Sequence, residues 1–529
     1  MNQDNSKISK QNILSHFSNI WIILGIICTI GFLLRIIWIP HESPLILDSA
    51  GYFWYAIETS ITGSFPSTEC SWKCLFPNTG WSSFLSIFFM IFSFDNYLDY
   101  MNLQRYLGVI ISIITTIPLY FLCKVFVEKK YAMIACVLFA FNPRIIENSI
   151  LGITEPMYIL SITLMLYTFF QYGRNYPYIT FGIIGIISII RYEGLLLFVP
   201  ISLLYFYKFK FSKKTILKYF IAVTIFLLII IPWGMMKIDL IGHDGLISNI
   251  SAGPKYYNAV ASESQDPNET ISLFLKTGFN TMLRFFALAT LPLLTFLIPL
   301  GIYTMISKKE LSNFLILFCI TLTLLIPVFY AYSRSYQEVR YLLPIFPIFC
   351  LFSVYFIRRI TEKIKFKKLF LILISILVIS STVGFIEYKN SDDVNQTEAY
   401  EVTKEITKLT KVVTYYSQAG YLDNTRILEV DEFPILRKEL PPSIVSIYPD
   451  NYETFEEYIS DNKKNGLEYV IVDKGDWRSK FLVDVFKNEE KYPYLIKIFD
   501  SKDNGYKNYH AKIFKINFEE FDKLKSINP

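Results

Sequence analysis

The sequence LDSAGYFWYAIET, Leu47 to Thr59, follows the first long apolar run of the chain, which extends from Ile20 to Pro40. Asp48 and Ser49 are residue types that cap helix N-termini, so the stretch predicts a helix that begins at Asp48. Its aromatic side chains divide between two helical faces. The apolar run before it has no small-residue cleavage pattern, which predicts a retained membrane span. The sequence therefore places a carboxylate and an aromatic helix directly after a membrane span.

The composition is that of a multi-pass membrane protein. The chain has 529 residues, of which 53% are hydrophobic and 18% charged. Its mean hydropathy is +0.37, and soluble domains usually contain about 45 to 50% apolar residues. The net charge of +5 comes from basic residues in short clusters between apolar runs, as the positive-inside rule describes. The charge therefore predicts membrane orientation and no nucleic-acid partner.

A helical span needs about 20 apolar residues, and this criterion predicts eleven transmembrane helices. They cover roughly residues 19–40, 102–123, 131–148, 154–170, 178–190, 194–207, 216–234, 277–306, 312–332, 340–357 and 369–387. The basic clusters lie at every second boundary, which predicts a cytoplasmic N-terminus and an extracytoplasmic C-terminus in a cell membrane. Three glycosylation sequons, at Asn249, Asn268 and Asn395, fall on the predicted outer side.

The character of the chain changes after Phe385. Residues 388–529 are charged and alternate strand-like with helix-like runs, which predicts a soluble α/β domain. The strand-like runs are Val412 to Tyr416, Ile427 to Val430, Tyr469 to Val472, Leu495 to Phe499 and Ala511 to Ile516. We therefore expect a transmembrane domain over residues 1–387 and an extracytoplasmic domain over residues 388–529. The sequence contains no GxGxxG, P-loop, HExxH or GxSxG motif, so it gives no sign of the common nucleotide-binding, zinc-protease or serine-hydrolase sites.

The first predicted outer loop contains two further features. Cys70 and Cys74 are separated by three residues in a polar segment, and the sequence leaves open whether they form a disulfide or bind a metal. The apolar stretch from Trp81 to Phe94 is short for a span, so it predicts an interfacial or re-entrant helix.

Ionisable residues are concentrated at the predicted outer ends of the spans. Such residues are costly at membrane depth, which makes them functional candidates. Arginine offers a planar fork for phosphate oxygens, and a carboxylate can accept a proton. The set therefore indicates a site for a lipid-linked phosphate and a hydroxyl. Its members are Arg35, Asp48, Arg105, Arg144, Glu147, Glu155, Arg191, Glu193, Arg334, Glu338 and Arg340.

Simpler interpretations exist for several of these residues. Arg105 can extend to lipid headgroups, and Glu147 can form a local ion pair with Arg144. Glu155 can merely start a helix, and Asp48 can merely cap one. Arg191 and Glu193 are flanked by continuous apolar sequence, which favours a functional role.

Several segments in order give the chain a resemblance to a known superfamily. They are LDSAGYFWYAIETSITGSFP, PNTGWSSFLSIFFMIFSF, QRYLGVIISIITTIPLYFLCKVF, FNPRIIENSILGITEPMYIL, RYEGLLLFVP and VRYLLPIFPIF. The pattern resembles the GT-C superfamily of polyprenyl-phosphate-sugar-dependent glycosyltransferases, particularly the protein O-mannosyltransferase-like and aminoarabinose-transferase-like enzymes. The resemblance covers roughly Ile20 to Phe385, and EYVIVDK in the tail resembles the outer domains of prokaryotic members.

The resemblance implies a mechanism. Asp48 would be the catalytic base that deprotonates an acceptor hydroxyl, which attacks the anomeric carbon and expels polyprenyl phosphate with inversion. Glu155 matches the second acidic position of the superfamily and is therefore the second candidate catalytic residue. Arg191 and Arg340, with Arg144 as a further candidate, would hold the donor phosphate.

Tyr52 and Tyr256 are candidates for contacts with the acceptor, which would be a protein, lipid or glycan, and the sugar would be a hexose such as mannose. Many members have Asp-Glu where this chain has Asp48 and Ser49. A divalent metal ion is left unassigned. An oligosaccharyltransferase subunit and a transporter or flippase for an anionic lipid-linked substrate are the alternative functions.

Overall fold

The computed structural model describes residues 4–45, 47–64, 78–94, 97–253, 267–290, 293–307, 310–410, 416–417, 452–465, 467–474 and 479–527. The chain divides into two compact units. The first unit consists of Met1–Ile39, Gly51–Ser93 and Asn102–Ile386, and the second of Pro40–Ala50, Phe94–Met101 and Glu387–Pro529. Predictions for Cys70, Cys74 and Tyr256 lie outside the described residues.

Most of the described residues are helical. The helices up to the start of the C-terminal region are α1 (Asp4–Ile37), α2 (Leu47–Thr62), α3 (Thr79–Ile91), α4 (Tyr97–Ile114), α5 (Thr116–Phe126), α6 (Lys129–Ala140), α7 (Pro143–Ser149), α8 (Glu155–Tyr172), α9 (Pro177–Ile190), α10 (Phe198–Phe209), α11 (Lys213–Ile241), α12 (Pro267–Thr290), α13 (Leu294–Ser307), α14 (Leu311–Ser333), α15 (Phe346–Lys363) and α16 (Lys367–Thr410). Two 3₁₀ turns, Tyr192–Leu197 and Val339–Ile345, precede α10 and α15.

Within the described residues, seven helices are long and apolar enough to cross a membrane. The number rises to eight if α12 and α13, which are bent by 100° at their junction, form one span. Eleven were predicted, and the difference arises because some predicted spans are broken into shorter helices. The predicted span 131–148, for example, is interrupted at Asn142, whose side chain accepts from the backbone N–H groups of Arg144 and Ile145 and so starts α7.

Glycine allows close helix packing in the first unit. A Cβ atom on Gly185 of α9 would lie 3.1 Å from Ile229 of α11, and one on Gly182 would lie 3.4 Å from Ile225. Small residues let membrane helices approach each other closely, where van der Waals packing supplies most of their association energy. The two glycines therefore allow α9 and α11 to pack in close contact. The chain continues from α9 directly into the turn that contains Arg191.

The C-terminal part of the second unit contains a four-stranded sheet in the order β1-β2-β4-β3. The strands β1 and β2 are parallel, with Tyr416 opposite Val470, and the other pairs are antiparallel. Buried side chains cover both faces of the sheet, as expected for an α/β domain. The elements are β1 (Tyr416–Ser417), α17 (Phe455–Asn462), β2 (Tyr469–Asp473), α18 (Lys480–Lys487), β3 (Leu495–Asp500), β4 (Ala511–Ile516) and α19 (Phe518–Ile527).

Candidate active site

Glu155 is the first residue of α8, and 2% of its side chain is exposed. Pro156 follows it, which suits the first turn of a helix because a proline needs no backbone N–H partner there. The hydroxyl of Thr154 donates to Glu155 Oε2 at 3.3 Å. Burying a carboxylate is costly unless it is paired, so the partners of the other oxygen define the role of this residue.

Arg191 supplies the main partner. Its Nη1 donates to Glu155 Oε1 at 2.9 Å, and its Nη2 donates to Glu193 Oε1 at 3.2 Å. The side chains of Arg191 and Glu193 are each 14% exposed, and the guanidinium lies 5.6 Å from the centre of the Tyr158 ring. Arg191 thus joins two largely buried carboxylates that come from different helices and turns.

A tight turn places Arg191 and Glu193 side by side. Arg191 ends α9 in an extended conformation, and the N–H of Gly194 donates to its carbonyl at 2.8 Å. A Cβ atom on Gly194 would lie 2.8 Å from the backbone carbon of Ile187. Because no side chain fits there, glycine is what allows the chain to fold back immediately after α9. The two short segments predicted on either side of residues 191–193 are present as the helices α9 and α10. Of these, the segment Tyr192–Phe209 is long and apolar enough to cross a membrane, and α9 is a shorter apolar helix.

Arg340 joins the same group from the 3₁₀ turn before α15. Its Nε lies 4.0 Å from Glu155 Oε1 and 3.8 Å from Glu338 Oε2. Arg340 is 19% exposed and Glu338 51% exposed, so this side of the group reaches the surface. Two guanidiniums and three carboxylates meet here, and we call Glu155, Arg191, Glu193, Glu338 and Arg340 the charged cluster. Three candidates predicted separately, Glu155, Arg191 and Arg340, are thus brought together.

Arg144 has different partners. Its Nη1 donates to Glu147 Oε2 at 2.8 Å, and its guanidinium lies 4.5 Å from the centre of the Phe385 ring. The local ion pair that the sequence left as an alternative for Glu147 is therefore formed. No described contact joins Arg144 to the charged cluster.

Asp48 lies in the first turn of α2 and is half-buried. It belongs to the second compact unit, whereas the charged cluster belongs to the first. Tyr52, in the first unit, is buried and lies close enough to Arg191 to interact with it electrostatically. The roles of Asp48 and Tyr52 stay predictions.

Arg35 is a structural residue. The sequence placed it among the functional charges, but it is fully buried and bonded to neutral oxygens. It donates to the carbonyls of Gly31 at 2.8 Å and Ala140 at 2.9 Å, and to the hydroxyls of Ser149 at 3.2 Å and Ser112 at 3.4 Å. These bonds tie α1 to α4, α6 and α7, the helix that ends shortly before Glu155.

The sequence did not indicate a role for two residues that contact the turn before Glu155. Trp81 Nε1 and Gln104 Nε2 both donate to the carbonyl of Gly152, three residues before Glu155. A buried tryptophan must find a partner for its N–H, but nothing in the sequence names that partner.

Metal binding is left unassigned. Among the residues that the structure describes, no group of three or more histidine, cysteine, aspartate or glutamate side chains could hold a metal ion. His41 and Glu42, which lie upstream of Asp48, are both exposed.

Residues 71–418 match the Alg9-like mannosyltransferase family. The chain belongs to this family. The predicted class of the protein, a membrane glycosyltransferase, is therefore confirmed, and an enzyme is favoured over a transporter. No curated protein sequence matches the chain significantly.

Solved structures with similar folds include two kinds of enzyme. ArnT from Cupriavidus metallidurans in the apo state has a TM-score of 0.56 and 10% identity, covering 94% of this chain and 98% of ArnT. ArnT bound to undecaprenyl phosphate has a TM-score of 0.52 and 10% identity, covering 93% and 97%. The Archaeoglobus fulgidus oligosaccharyltransferase tethered with an acceptor peptide has a TM-score of 0.55 and 15% identity, covering 86% of this chain and 69% of that enzyme. At these identities the likeness shows the fold, and it confirms the predicted GT-C type with a C-terminal soluble domain.

Proposed function

We propose that this enzyme transfers a hexose, with mannose as the first candidate, from a polyprenyl-phosphate donor to a hydroxyl group of a protein, lipid or glycan acceptor. The reaction takes place at the outer face of a cell membrane, and the cytoplasmic N-terminus and extracytoplasmic C-terminal domain follow from the basic clusters. The observation that carries the proposal is the approach of two arginines, Arg191 and Arg340, to one buried carboxylate, Glu155.

The arginines hold the donor phosphate. A guanidinium binds phosphate oxygens through two parallel N–H donors, and such charge-assisted bonds are stronger than neutral ones. Arg340 is the better-placed of the two because it lies at the more exposed side of the charged cluster. The family match and the undecaprenyl phosphate bound to the structurally similar ArnT support a donor of this class.

Glu155 acts through the arginines. Its Oε1 lies next to both guanidiniums and its Oε2 accepts from Thr154. A carboxylate in that position orients the guanidiniums for phosphate binding. It also compensates their positive charge in an apolar environment. We therefore assign a positioning role to Glu155, and proton transfer stays with Asp48, as the superfamily resemblance implies.

The proposed sugar transfer needs only the donor and the acceptor as reactants. The acceptor oxygen forms a bond to the anomeric carbon while the bond from that carbon to the phosphate oxygen breaks. The polyprenyl phosphate leaves with the electron pair and is stabilised by Arg191 and Arg340. The hydroxyl proton passes to Asp48, and Tyr52 and Tyr256 are candidates for contacts with the acceptor. Attack from the side opposite the leaving group inverts the anomeric configuration.

A transfer assay tests the proposal. The purified 529-residue protein in nanodiscs is given polyprenyl-phosphate mannose carrying a labelled sugar, together with membrane extracts that contain protein, lipid and glycan acceptors. We expect labelled product whose anomeric configuration, measured by NMR, is opposite to that of the donor. Movement of the labelled lipid across proteoliposome membranes, with no sugar transferred, would instead support the flippase.

A further inference from the structure

Two buried side chains from different helices hold the turn before Glu155. The carbonyl of Gly152 accepts from Trp81 Nε1 at 3.0 Å and from Gln104 Nε2 at 2.6 Å. Trp81 lies in α3 and Gln104 in α4, and both are fully buried. A carbonyl oxygen has two lone pairs, so this one is fully occupied by side-chain donors.

Gly152 has a backbone conformation that few other residue types adopt. Gly152 has φ +71°, a left-handed conformation that is costly for residues with a Cβ atom. The N–H of Tyr158 then donates to the carbonyl of Thr154 at 3.0 Å, which begins the hydrogen bonding of α8. The path from Gly152 to Glu155 is therefore short and set by the turn that Trp81 and Gln104 hold.

The start of α3 also contacts the chain around Arg191. The side chain of Asn78 accepts from the N–H of Tyr192 at 3.3 Å. A Cβ atom on Gly80 would lie 2.8 Å from the carbonyl oxygen of Ile189. Asn78 and Gly80 thus contact the segment that contains Arg191, and Trp81 contacts the turn before Glu155.

We propose that Trp81, assisted by Gln104, is a positioning residue that fixes Glu155 relative to Arg191. One end of α3 contacts the turn before Glu155 and the turn that contains Arg191, so this helix sets the spacing between them. The inference rests on the proposed function in one respect, the assignment of Arg191 and Arg340 to the donor phosphate. If this contact is loosened, the KM for the donor rises and the KM for the acceptor stays unchanged.

The substitution Trp81→Phe keeps an aromatic ring and removes the N–H donor, and Gln104→Met removes the second donor at similar volume. Trp21→Phe is the matched control because Trp21 is exposed on α1. Each variant of the full chain is purified in nanodiscs and compared with the unaltered protein. The readouts are hydrogen–deuterium exchange, thermal unfolding, and KM for donor and for acceptor.

We expect Trp81→Phe to speed exchange in both residues 150–155 and residues 189–194, and to raise the KM for the donor about tenfold, a loss typical of one buried hydrogen bond. The KM for the acceptor stays within about twofold. Gln104→Met gives the same pattern and serves if Trp81→Phe fails to fold, whereas Trp21→Phe changes nothing.

Different results would overturn the positioning role of Trp81 and the proposed function of the enzyme. Unchanged exchange in residues 189–194 of both variants overturns the positioning role, even if the enzyme transfers sugar normally. An equal rise in both KM values also overturns it, because that result indicates a general loss of structure. If the unaltered protein transfers no sugar yet both segments loosen in the variants, the positioning role stands and the proposed function fails.

Discussion

Arg191 Nη1 lies 2.9 Å from Glu155 Oε1, although the two residues come from the end of α9 and the start of α8. The carboxylate is almost completely buried and the guanidinium largely so. A buried ion pair is costly to form, and removing one partner is more costly still because the other charge is left without compensation. The pair is therefore the strongest constraint on the arrangement of the charged cluster.

The first prediction concerns Glu155. The substitution Glu155→Gln leaves Arg191 and Arg340 with less negative charge in an apolar setting, so we expect the free energy of unfolding to fall by about 3 kcal/mol. Sugar transfer falls at least about tenfold. Thermal unfolding and the transfer assay measure the two effects. Glu128→Gln, at an exposed ion pair with Lys130, is the control and changes neither quantity appreciably. Normal stability and activity of Glu155→Gln would contradict the role assigned to this carboxylate.

The second prediction concerns Arg340, where a lysine substitution distinguishes the effect of positive charge from that of side-chain geometry. Lysine keeps the positive charge but lacks the planar fork that matches phosphate oxygens. We expect Arg340→Lys to raise the KM for the donor about tenfold, since a charge-assisted hydrogen bond contributes about 1.5 to 3 kcal/mol. The KM for the acceptor should not change. Arg174→Lys, at an exposed position, is the matched control. A donor KM equal to that of the unaltered enzyme would exclude Arg340 from phosphate binding.

Arg35 should affect stability alone. Its guanidinium reaches oxygens on four different helices, which the single ammonium group of a lysine cannot do. We expect Arg35→Lys to lower the melting temperature by several degrees, since each lost buried bond costs about 1 kcal/mol. The exposed Arg284→Lys is its control. A melting temperature that matches the control would show that the four bonds contribute little.

How much of this could be predicted from the sequence depends on the kind of interaction. Glu155, Arg191 and Arg340 were identifiable one by one, because an ionisable residue in apolar sequence is costly and so needs a reason. That they share one carboxylate oxygen was not predictable, since the contact is created by tertiary packing of α8, α9 and the turn before α15. For Arg35 the same reasoning predicted a functional role. Its partners are serine hydroxyls and helix carbonyls, and a sequence does not indicate which of these will bind a guanidinium.

The span count shows a second limit. Apolar runs predict which segments enter the membrane, but Asn142 and Pro143 divide one such run into α6 and α7. In the C-terminal region the alternating pattern correctly predicted β2, β3 and β4. The predicted strand at Ile427 to Val430 lies outside the described residues. Local patterning therefore predicts elements well, and the breaks between helices depend on capping residues that act over a few positions.

The second unit gives a pH prediction. Burial raises the pKa of Glu398, but hydrogen bonds from the backbone N–H groups of Tyr509 and Asn508 and from the Asn508 side chain outweigh it and leave the pKa below its ordinary value of 4.5. A carboxyl group whose pKa is lowered on folding stabilises the fold above its unfolded-state pKa, and this stabilisation is lost as the pH falls through the folded-state value.

We therefore expect protection of the Asn508 and Tyr509 amides from hydrogen exchange to weaken as the pH falls below about 4.5. In Glu398→Gln that protection is lower at neutral pH and no longer depends on acidification. Glu401→Gln, exposed on the same helix, is the control and keeps the pH dependence of the unaltered protein. The same acid response in Glu398→Gln would assign it to another group.

The assignment of Asp48 as the catalytic base is tested by the rate of mannose transfer from polyprenyl-phosphate mannose by Asp48→Asn, compared with Asp99→Asn. Both substitutions remove a carboxylate from the first turn of a helix, α2 in one case and α4 in the other, and Asp99 is exposed. We predict that Asp99→Asn transfers at the rate of the unaltered enzyme. Asp48→Asn folds normally, binds the donor with unchanged affinity and loses at least about 99% of the rate, in line with the loss of a general base. Transfer by Asp48→Asn at the unaltered rate would contradict the account.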